Sequence, residues 1–189
     1  MGRAKANVPL EGGETFLSRI VRTFCDAGVD DVVVVVGHEQ DAIVEVFLRT
    51  DLAARFVANP DYESGQLSSL LAGLRVVDRP GVVATLVTLV DVPLVTPVTV
   101  RAVVDRYLRT HAPIVRPVRG EEHGHPVLID RSLFEAIRRA DPSSGAKAVV
   151  RAHASTAGDV QVDDEGAFLD IDTAEDYQRL VGRTADRRV

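Results

Sequence analysis

Apolar residues along this chain follow two spacings, one typical of buried strands and one typical of amphipathic helices. Residues 32–36 are all valine and end at Gly37, and an unbroken β-branched run of this kind predicts a strand covered on both faces. Residues 15–27 before it and 40–50 after it carry apolar side chains at helical spacing, and Gly28 ends the first helix. The order helix, strand, helix predicts an α/β fold.

The same alternation continues along the rest of the chain. Further strands are predicted at residues 55–58, 82–90, 113–118 and 126–129, further helices at 67–77, 98–109, 131–139, 146–153 and 173–181, and a small hairpin at 160–162 and 167–169. No repeat or linker interrupts the pattern, so residues 1–189 are expected to form a single domain. The chain opens with a polar segment and a helix, whereas parallel α/β units begin with a strand. A first strand is therefore expected to be missing.

Composition and charge narrow the class of protein. Hydrophobic residues make up 46% and aromatic residues 5%, with no tryptophan, which suits β-branched strands covered by Ala- and Leu-rich helices. A net charge of -6 without a basic run argues against a nucleic-acid partner. Cys25 is the single cysteine, so no intramolecular disulfide forms and a reducing compartment is expected. The sequence has neither a signal-peptide stretch nor a window of about 18 apolar residues, which predicts a cytoplasmic protein without a membrane partner.

Two acidic segments are candidates for holding a cation. Asp91 directly follows the predicted strand at residues 82–90, and ligands of open α/β sheets bind beyond the carboxyl ends of the strands. The alternative for Asp91 is a turn or cap aspartate. Asp170 and Asp172 alternate around Ile171, so both are expected on one face of an extended segment. Because Mg²⁺ is usually held by one or two carboxylates together with substrate phosphates, Asp91 with Asp172 would satisfy it.

Three other polar segments contain candidate binding groups. The loop at residues 59–66 runs into a helix start with small hydroxyl residues, where free backbone N–H groups could receive a sugar hydroxyl or a phosphate; an ordinary turn and cap is the alternative. His125, in a polar loop, is expected to contact a substrate phosphate or to lie at a strand edge, and zinc is not expected without a nearby cysteine or third histidine. Arg3 and Lys5 could neutralise nucleotide phosphates, with a solvated terminus as the alternative.

In this order, the segments resemble the molybdenum cofactor cytidylyltransferase branch of the MobA-like nucleotidyltransferases. Residues 1–10 resemble the second half of the family's opening signature, which runs approximately L-A-A-G-x-S-x-R-M-G-x-x-K-x-x-x-P-L. The other matches are residues 59–60 and 65–69 with N-P…G-x-x-S-S, 91–93 with D-x-P, 120–126 with G-x-x-G-H-P, 145–147 with G-A-[RK], and 170–177 with D-I-D-T-x-E-D-Y. These motifs stand in the family's order and cover essentially the whole chain.

The resemblance implies a Rossmann-like, three-layer nucleotide-diphosphate-sugar transferase fold (GT-A-like) with a mostly parallel sheet. It also implies attack by a terminal phosphate of the pterin cofactor on the α-phosphate of CTP, with release of pyrophosphate. The residue roles that it implies are Mg²⁺ ligation by Asp91 and Asp172 with Asp170 as a further candidate, contact of Lys5 and Arg3 with the triphosphate, Asn59, Gly65, Ser68 and Ser69 beside the nucleotide, and Gly124, His125 and Pro126 along the acceptor side.

The chain departs from the family pattern in one respect, because the L-A-A-G-x-S-x-R segment is absent before Met1. In the family that glycine loop gives backbone N–H groups to the phosphates and reads the base, and its absence agrees with the missing first strand. A start codon placed too far downstream is the favoured explanation, since the later motifs are intact; a truncated, inactive relative is the alternative. Three alternatives therefore stay open: GTP in place of CTP, a phosphorylated sugar or alcohol as acceptor, and a non-catalytic protein that docks on a molybdoenzyme or its insertion chaperone.

Overall fold

The computed structural model of the chain describes residues 4–173 and 175–178. Its helices are Phe16–Asp26 (α1), Gln40–Phe47 (α2), Gln66–Val77 (α3), Pro97–Thr110 (α4), Phe134–Arg138 (α5) and Gly145–His153 (α6). Its strands are Val33–Val36 (β1), Arg55–Ala58 (β2), Ala84–Val87 (β3), Ile114–Arg119 (β4), Glu122–His123 (β5), Val127–Asp130 (β6) and Asp159–Gln161 (β7). Residues 175–178 add a helical turn. None of the helices in these ranges is long and apolar enough to span a bilayer.

The strands form two sheets with mixed directions. β1 pairs in parallel with β2, while the second sheet has the order β3-β6-β4-β5, with β7 pairing in parallel with β4. β6 is antiparallel to both of its neighbours, because the chain returns from β4 to β6 through a short loop rather than through a crossover helix. The expectation of a mostly parallel sheet is therefore corrected to a mixed one. Within the described ranges, no strand pairing joins β1 or β2 to the second sheet.

Helices cover both faces of these strands. On one face α1, α2 and α4 contribute to clusters that bury Val21 and Val103 completely. On the other face α3, α5 and α6 pack around Leu74 and Ile137, which are 1% and 0% exposed. Each fully buried aliphatic side chain of this size stabilises the fold by roughly 1.5–3 kcal/mol. The result is the predicted three-layer α/β arrangement.

The first helix begins at a capping box and ends at the glycine that the sequence predicts. Thr15 and Ser18 form a capping box, in which the Ser18 N–H donates to Thr15 Oγ1 at 3.2 Å and the Thr15 N–H donates to Ser18 Oγ at 2.8 Å. Gly28 takes a φ of +86° just after the helix, a conformation that glycine adopts without strain. The predicted strand and helices around it are confirmed to within a few residues.

Two predictions beyond residue 80 are wrong. The strand predicted at residues 82–90 ends at Val87, because its partner β6 begins opposite that residue and offers no pairing beyond it. The hairpin predicted at residues 160–169 does not form. Instead β7 pairs with β4, and Glu165–Ala167 is a 3-10 turn in which Asp164 accepts a hydrogen bond from the Gly166 N–H at 3.1 Å.

Candidate active site

Three strand ends meet at one rim of the second sheet. β3 runs towards Asp91, β6 begins directly after Pro126 and antiparallel to β3, and β4 ends at Arg119, antiparallel to β6. Asp91 lies in a turn beyond the last paired residue of β3. This rim therefore collects residues from three separate parts of the sequence.

The segment that carries Asp172 is held at this rim by apolar packing and one backbone bond. Val8, Phe16 and Ile171 form a small buried cluster, and Ile171 is 2% exposed. The Ile171 N–H donates to the Asp91 carbonyl at 2.8 Å. Because side chains alternate along an extended segment, burial of Ile171 leaves Asp172 on the opposite face, where its side chain is 61% exposed.

The ammonium group of Lys5 lies between the two candidate carboxylates. It donates a hydrogen bond to Asp172 Oδ1 at 2.5 Å and is 3.9 Å from Asp91 Oδ2. Lys5 begins a short 3-10 turn, Lys5–Asn7, and its side chain is 35% exposed. Asp91 and Asp172 are far apart in sequence, yet they share one positive charge.

Asp91 is the most perturbed of these acidic groups. Its Oδ1 atom is buried and has no hydrogen-bond partner among the residues that the structure describes. Burial raises the pKa of the Asp91 carboxyl above its ordinary value of 3.8, Lys5 opposes the rise, and Asp170 and Asp172 add to it. An unsatisfied buried oxygen costs about 1–3 kcal/mol, so this atom is available to a cation or donor from a ligand.

The acidic side chains fit a divalent cation that is completed by a ligand. Asp91 and Asp172 already flank the ammonium charge of Lys5, whereas Asp170 is exposed to solvent. In the part of the chain that the structure describes, no group of three or more His, Cys, Asp or Glu side chains could hold a metal ion by itself. Two carboxylates would leave the remaining positions around a divalent cation to substrate phosphates and water.

The polar residues of the loop before α3 bond to one another. Asn59 is 4% exposed, and its Nδ2 donates to Ser68 Oγ at 2.9 Å and to Ser69 Oγ at 3.0 Å. Ser68 Oγ in turn donates to the carbonyls of Asp61 and Gly65. These side chains therefore shape the loop that leads into α3.

The loop between β5 and β6 is fastened to the 3-10 turn near the end of the chain. The His125 N–H donates to the Ala167 carbonyl at 2.8 Å, and the His125–Pro126 peptide is cis. Gly124 is buried, and a Cβ at this position would overlap the Ala167 carbonyl oxygen and the Phe168 ring. Two of the residues expected at the acceptor side are therefore located by their neighbours. Gly124 packs against the Phe168 ring, and His125 Nδ1 is 3.5 Å from the Val87 carbonyl oxygen.

The sequence does not predict the residues that join the segment after Asp91 to the segment that leads to Asp172. Asp164 Oδ2 accepts from the Thr96 N–H, the Thr96 hydroxyl and the Thr99 hydroxyl at 2.9, 2.8 and 2.6 Å. This clamp ties the segment after Asp91 to the start of the segment that leads to Asp172. Residue type gives a weak signal for such a clamp, because exposed aspartates are common in loops. Arg3, which was expected at the triphosphate, lies outside the described residues.

Several solved structures share this fold. Rv0371c from Mycobacterium tuberculosis H37Rv has a TM-score of 0.78 and 26% identity over 95% of this chain and 89% of that one. A second structure of that protein, in complex with manganese, has a TM-score of 0.76 and 26% identity over 95% and 92%. Molybdopterin-guanine dinucleotide biosynthesis protein A from Archaeoglobus fulgidus shares the fold, with a TM-score of 0.68 and 18% identity over 98% and 92%. The fold is that of the Rossmann-type nucleotidyltransferases.

The family follows from the sequence match. The chain matches the MobA-like NTP transferase domain over residues 1–157 and belongs to that family, so it is a nucleotidyltransferase. A stretch of 73 residues is 40% identical to part of the "Bifunctional IPC transferase and DIPP synthase" of Rubrobacter xylanophilus. That match covers 38% of this chain and only 17% of the relative's length. The resemblance drawn from the motifs is thus confirmed at the level of the family.

Proposed function

We propose that this nucleotidyltransferase transfers CMP from CTP to the terminal phosphate of a phosphorylated pterin, the molybdenum cofactor precursor, and releases pyrophosphate. The observation that carries the proposal is the convergence of Asp91 and Asp172 on one ammonium group, with Asp91 Oδ1 buried and unsatisfied among the described residues. The motifs beside that rim support the cytidylyl branch of the family. The manganese in the Mycobacterium tuberculosis structure supports a divalent cation here.

The proposed reaction consists of positioning and charge neutralisation. A phosphate oxygen of the acceptor attacks the α-phosphate of CTP, a new P–O bond forms, the bond to the β-phosphate breaks, and pyrophosphate leaves. The attacking oxygen is already an anion, so no general base is needed. Mg²⁺ held by Asp91 and Asp172, with Asp170 as a further ligand, would neutralise the negative charge of the phosphates. Lys5 would hold the triphosphate from the same rim.

The remaining site residues would position the two substrates. Arg3 would join Lys5 at the triphosphate, and the amides that follow Gly65 would border the nucleotide at the start of α3. Asn59, Ser68 and Ser69 support this role indirectly, since their mutual hydrogen bonds fix the shape of that loop. Gly124, His125 and Pro126 would line the acceptor side, opposite the turn of Asp91.

The decisive experiment replaces Asp91 by Asn. In the presence of Mg²⁺, CTP and molybdopterin, pyrophosphate release is expected to fall on the order of 10²–10³-fold, because an electrostatic contact in the transition state is lost. Asp105→Asn is the matched control, since Asp105 is exposed on α4 and its replacement changes the net charge equally. Turnover by Asp91→Asn at the rate of the control would disprove the metal role.

Two other activities have specific support and are separated by a substrate panel. A phosphorylated sugar or alcohol is the alternative acceptor that the motifs leave open, and the likeness to the Archaeoglobus protein, named for molybdopterin-guanine dinucleotide, supports GTP as the alternative donor. Pyrophosphate release is therefore measured with CTP and GTP, each with molybdopterin and with inositol 1-phosphate. A strong preference for GTP or for the sugar phosphate would replace the proposed substrates. Calorimetry that detected no nucleotide binding would favour the non-catalytic protein that docks on a molybdoenzyme or its chaperone.

A further inference from the structure

A small hollow lies at the same rim as the candidate active site, at the end of β4. It is lined by Arg119, Glu165, Phe168 and Leu169, and its volume is about 210 Å³. Whole small-molecule ligands occupy clefts of roughly 300–1,000 Å³. The hollow is therefore large enough for one end of a small molecule and too small for a complete one.

The guanidinium group of Arg119 is fixed in this hollow from two sides. Its Nε donates to Glu122 Oε2 at 2.9 Å, and its central carbon lies 4.8 Å from the centre of the Phe168 ring. A cation over an aromatic face at this distance makes a favourable cation–π contact. The Arg119 side chain nevertheless remains 43% exposed, so a planar group is presented to the solvent in a defined orientation.

The aromatic ring beneath Arg119 is itself held by the glycine of the neighbouring loop. The absence of a Cβ at Gly124 leaves room for the Phe168 ring, and the backbone bond from His125 to Ala167 joins the two segments. The stack of Arg119 on Phe168 is thus built from the β4–β5 hairpin on one side and the segment before Asp170 on the other.

The position of the hollow relates it to the candidate active site. β3, which leads to Asp91, and β4, which ends at Arg119, are separated only by β6. With a strand spacing of about 4.8 Å, these two strands are about 10 Å apart. The segment that lines the hollow continues directly from Leu169 into Asp170 and Asp172. A molecule whose phosphate reacts beside Asp91 could therefore place its far end in the hollow.

We propose that the hollow binds the non-reacting end of the acceptor as a planar heteroaromatic ring, stacked on the open face of the Arg119 guanidinium. This inference rests on the proposed function, since it assigns a position to the acceptor of that reaction. A second phosphate is disfavoured as the occupant because the Glu122 carboxylate already pairs with the guanidinium, and the acidic side chain of Glu165 lines the same hollow. Arginine stacks on rings through its planar face.

Binding of a ring without a phosphate tests this assignment directly. The probe is 6-hydroxymethylpterin, whose fluorescence is followed as the full-length protein is added without nucleotide. Arg119→Ala is expected to weaken binding about tenfold through loss of the stacking cation, and Arg119→Lys is expected to weaken it nearly as much, because lysine keeps the charge without the plane. Arg109→Ala, at an exposed position in the last turn of α4, is the matched control and should bind the pterin like the unaltered protein.

The outcomes separate this inference from the proposed function. Calorimetry of CTP with Mn²⁺ on the same samples reports the nucleotide site, and Arg119→Ala should leave that affinity unchanged. Nucleotide binding without pterin binding would overturn the inference alone, as would pterin binding that Arg119→Lys retains in full. Displacement of the pterin by ribose 5-phosphate with equal affinity would show an anion site and would also overturn it. If Arg119→Ala unfolds, Arg119→Lys and Phe168→Leu give the same comparison.

Discussion

Two aspartates at opposite ends of the same pair of strands have opposite surroundings. Asp130 is the last residue of β6 and pairs with the first residue of β3, whereas Asp91 follows the other end of β3. Asp130 accepts hydrogen bonds from the Tyr107 hydroxyl at 2.5 Å and from the Ser132 N–H at 2.8 Å. Asp91 Oδ1 is buried without such a donor in the described part of the chain.

The difference shows how the same residue type is satisfied by hydrogen bonds at one rim and left with an unsatisfied oxygen at the other. Burial pushes the pKa of both carboxyls upwards, but the hydrogen bonds from Ser132 and Tyr107 bring the pKa of Asp130 below its ordinary value. The pKa of Asp91 stays raised, because the Lys5 ammonium does not offset its burial. A satisfied carboxylate stabilises the fold, while an unsatisfied one can bind a ligand or a cation.

Asp130→Ala should give the largest loss of stability. It removes two hydrogen bonds to a charged group and leaves the hydroxyl of Tyr107, a residue that is 5% exposed, with only its longer bond to the Val83 carbonyl at 3.3 Å. We expect the free energy of unfolding to fall by about 2–3 kcal/mol, measured by urea denaturation. Asp91→Ala is the counterpart, and its unfolding free energy should change by less than about 1 kcal/mol, since Asp91 Oδ1 has no such donor to lose. Equal losses in the two variants would remove the contrast between the rims.

Tyr107→Phe should have the next largest effect. It deletes the hydroxyl that donates to Asp130 and leaves the ring packed in its apolar cluster with Val115 and Leu128. A loss of about 1–2 kcal/mol in unfolding free energy is expected, and the double variant with Asp130→Ala should lose less than the sum of the single changes. Additive losses in this double-mutant cycle would mean that the two side chains do not interact.

Lys5→Met tests the rim of the sheet that carries Asp91. The Lys5 ammonium is 3.9 Å from Asp91, and two unit charges at about 4 Å interact by roughly 1 kcal/mol in water. Removal of this competing cation should tighten Mn²⁺ binding about fivefold in the absence of nucleotide, measured by paramagnetic resonance of free Mn²⁺. Because Lys5 is also proposed to hold the triphosphate, CTP binding should weaken in the same variant. Unchanged or weaker Mn²⁺ binding would contradict a cation site between Asp91 and Asp172.

The smallest effect is a pH dependence of the stability that Tyr107 and Asp130 contribute at the opposite rim. Burial and Asp130 raise the pKa of Tyr107 from 10.0 to about 12, so the stabilisation from its protonated form is complete below pH 10 and is lost as the pH rises towards 12. The lowered pKa of Asp130 means that its contribution is present above 3.8 and is lost as the pH falls further. The stability difference between the unaltered protein and Tyr107→Phe should therefore be constant from pH 5 to pH 9 and shrink outside that window. A difference that is independent of pH across the whole range would exclude this pair as its source.

The sequence predicts the elements better than it predicts their pairing. The valine run of β1 and the Gly28 stop of α1 are local signals, and both are confirmed. The antiparallel β6 and the parallel β7 depend on contacts between distant segments, which periodicity does not encode. Ahead of α1, the described residues form two short 3-10 turns.

In the candidate site, too, the sequence could predict some residues and not others. Asp91 and the segment around Asp172 could be singled out because each stands beside a strong apolar pattern. Arg119 and Phe168 could not, since they are distant in sequence and neither residue type is unusual where it stands. Asn59, Ser68 and Ser69 were expected beside a ligand, but hydrogen-bonding capacity alone does not tell whether a side chain turns outwards or bonds to its own loop.

The clamp at Asp164 and the backbone bond at Ile171 pin a short ribbon of chain at both ends. Its length therefore matters more than most of its side chains. Since neighbouring residues of an extended segment face opposite ways, deleting one residue between Phe168 and Ile171 would turn an aspartate into the apolar cluster and an isoleucine into water. Homologues can therefore be expected to keep the residue count of this ribbon even where its exposed side chains differ.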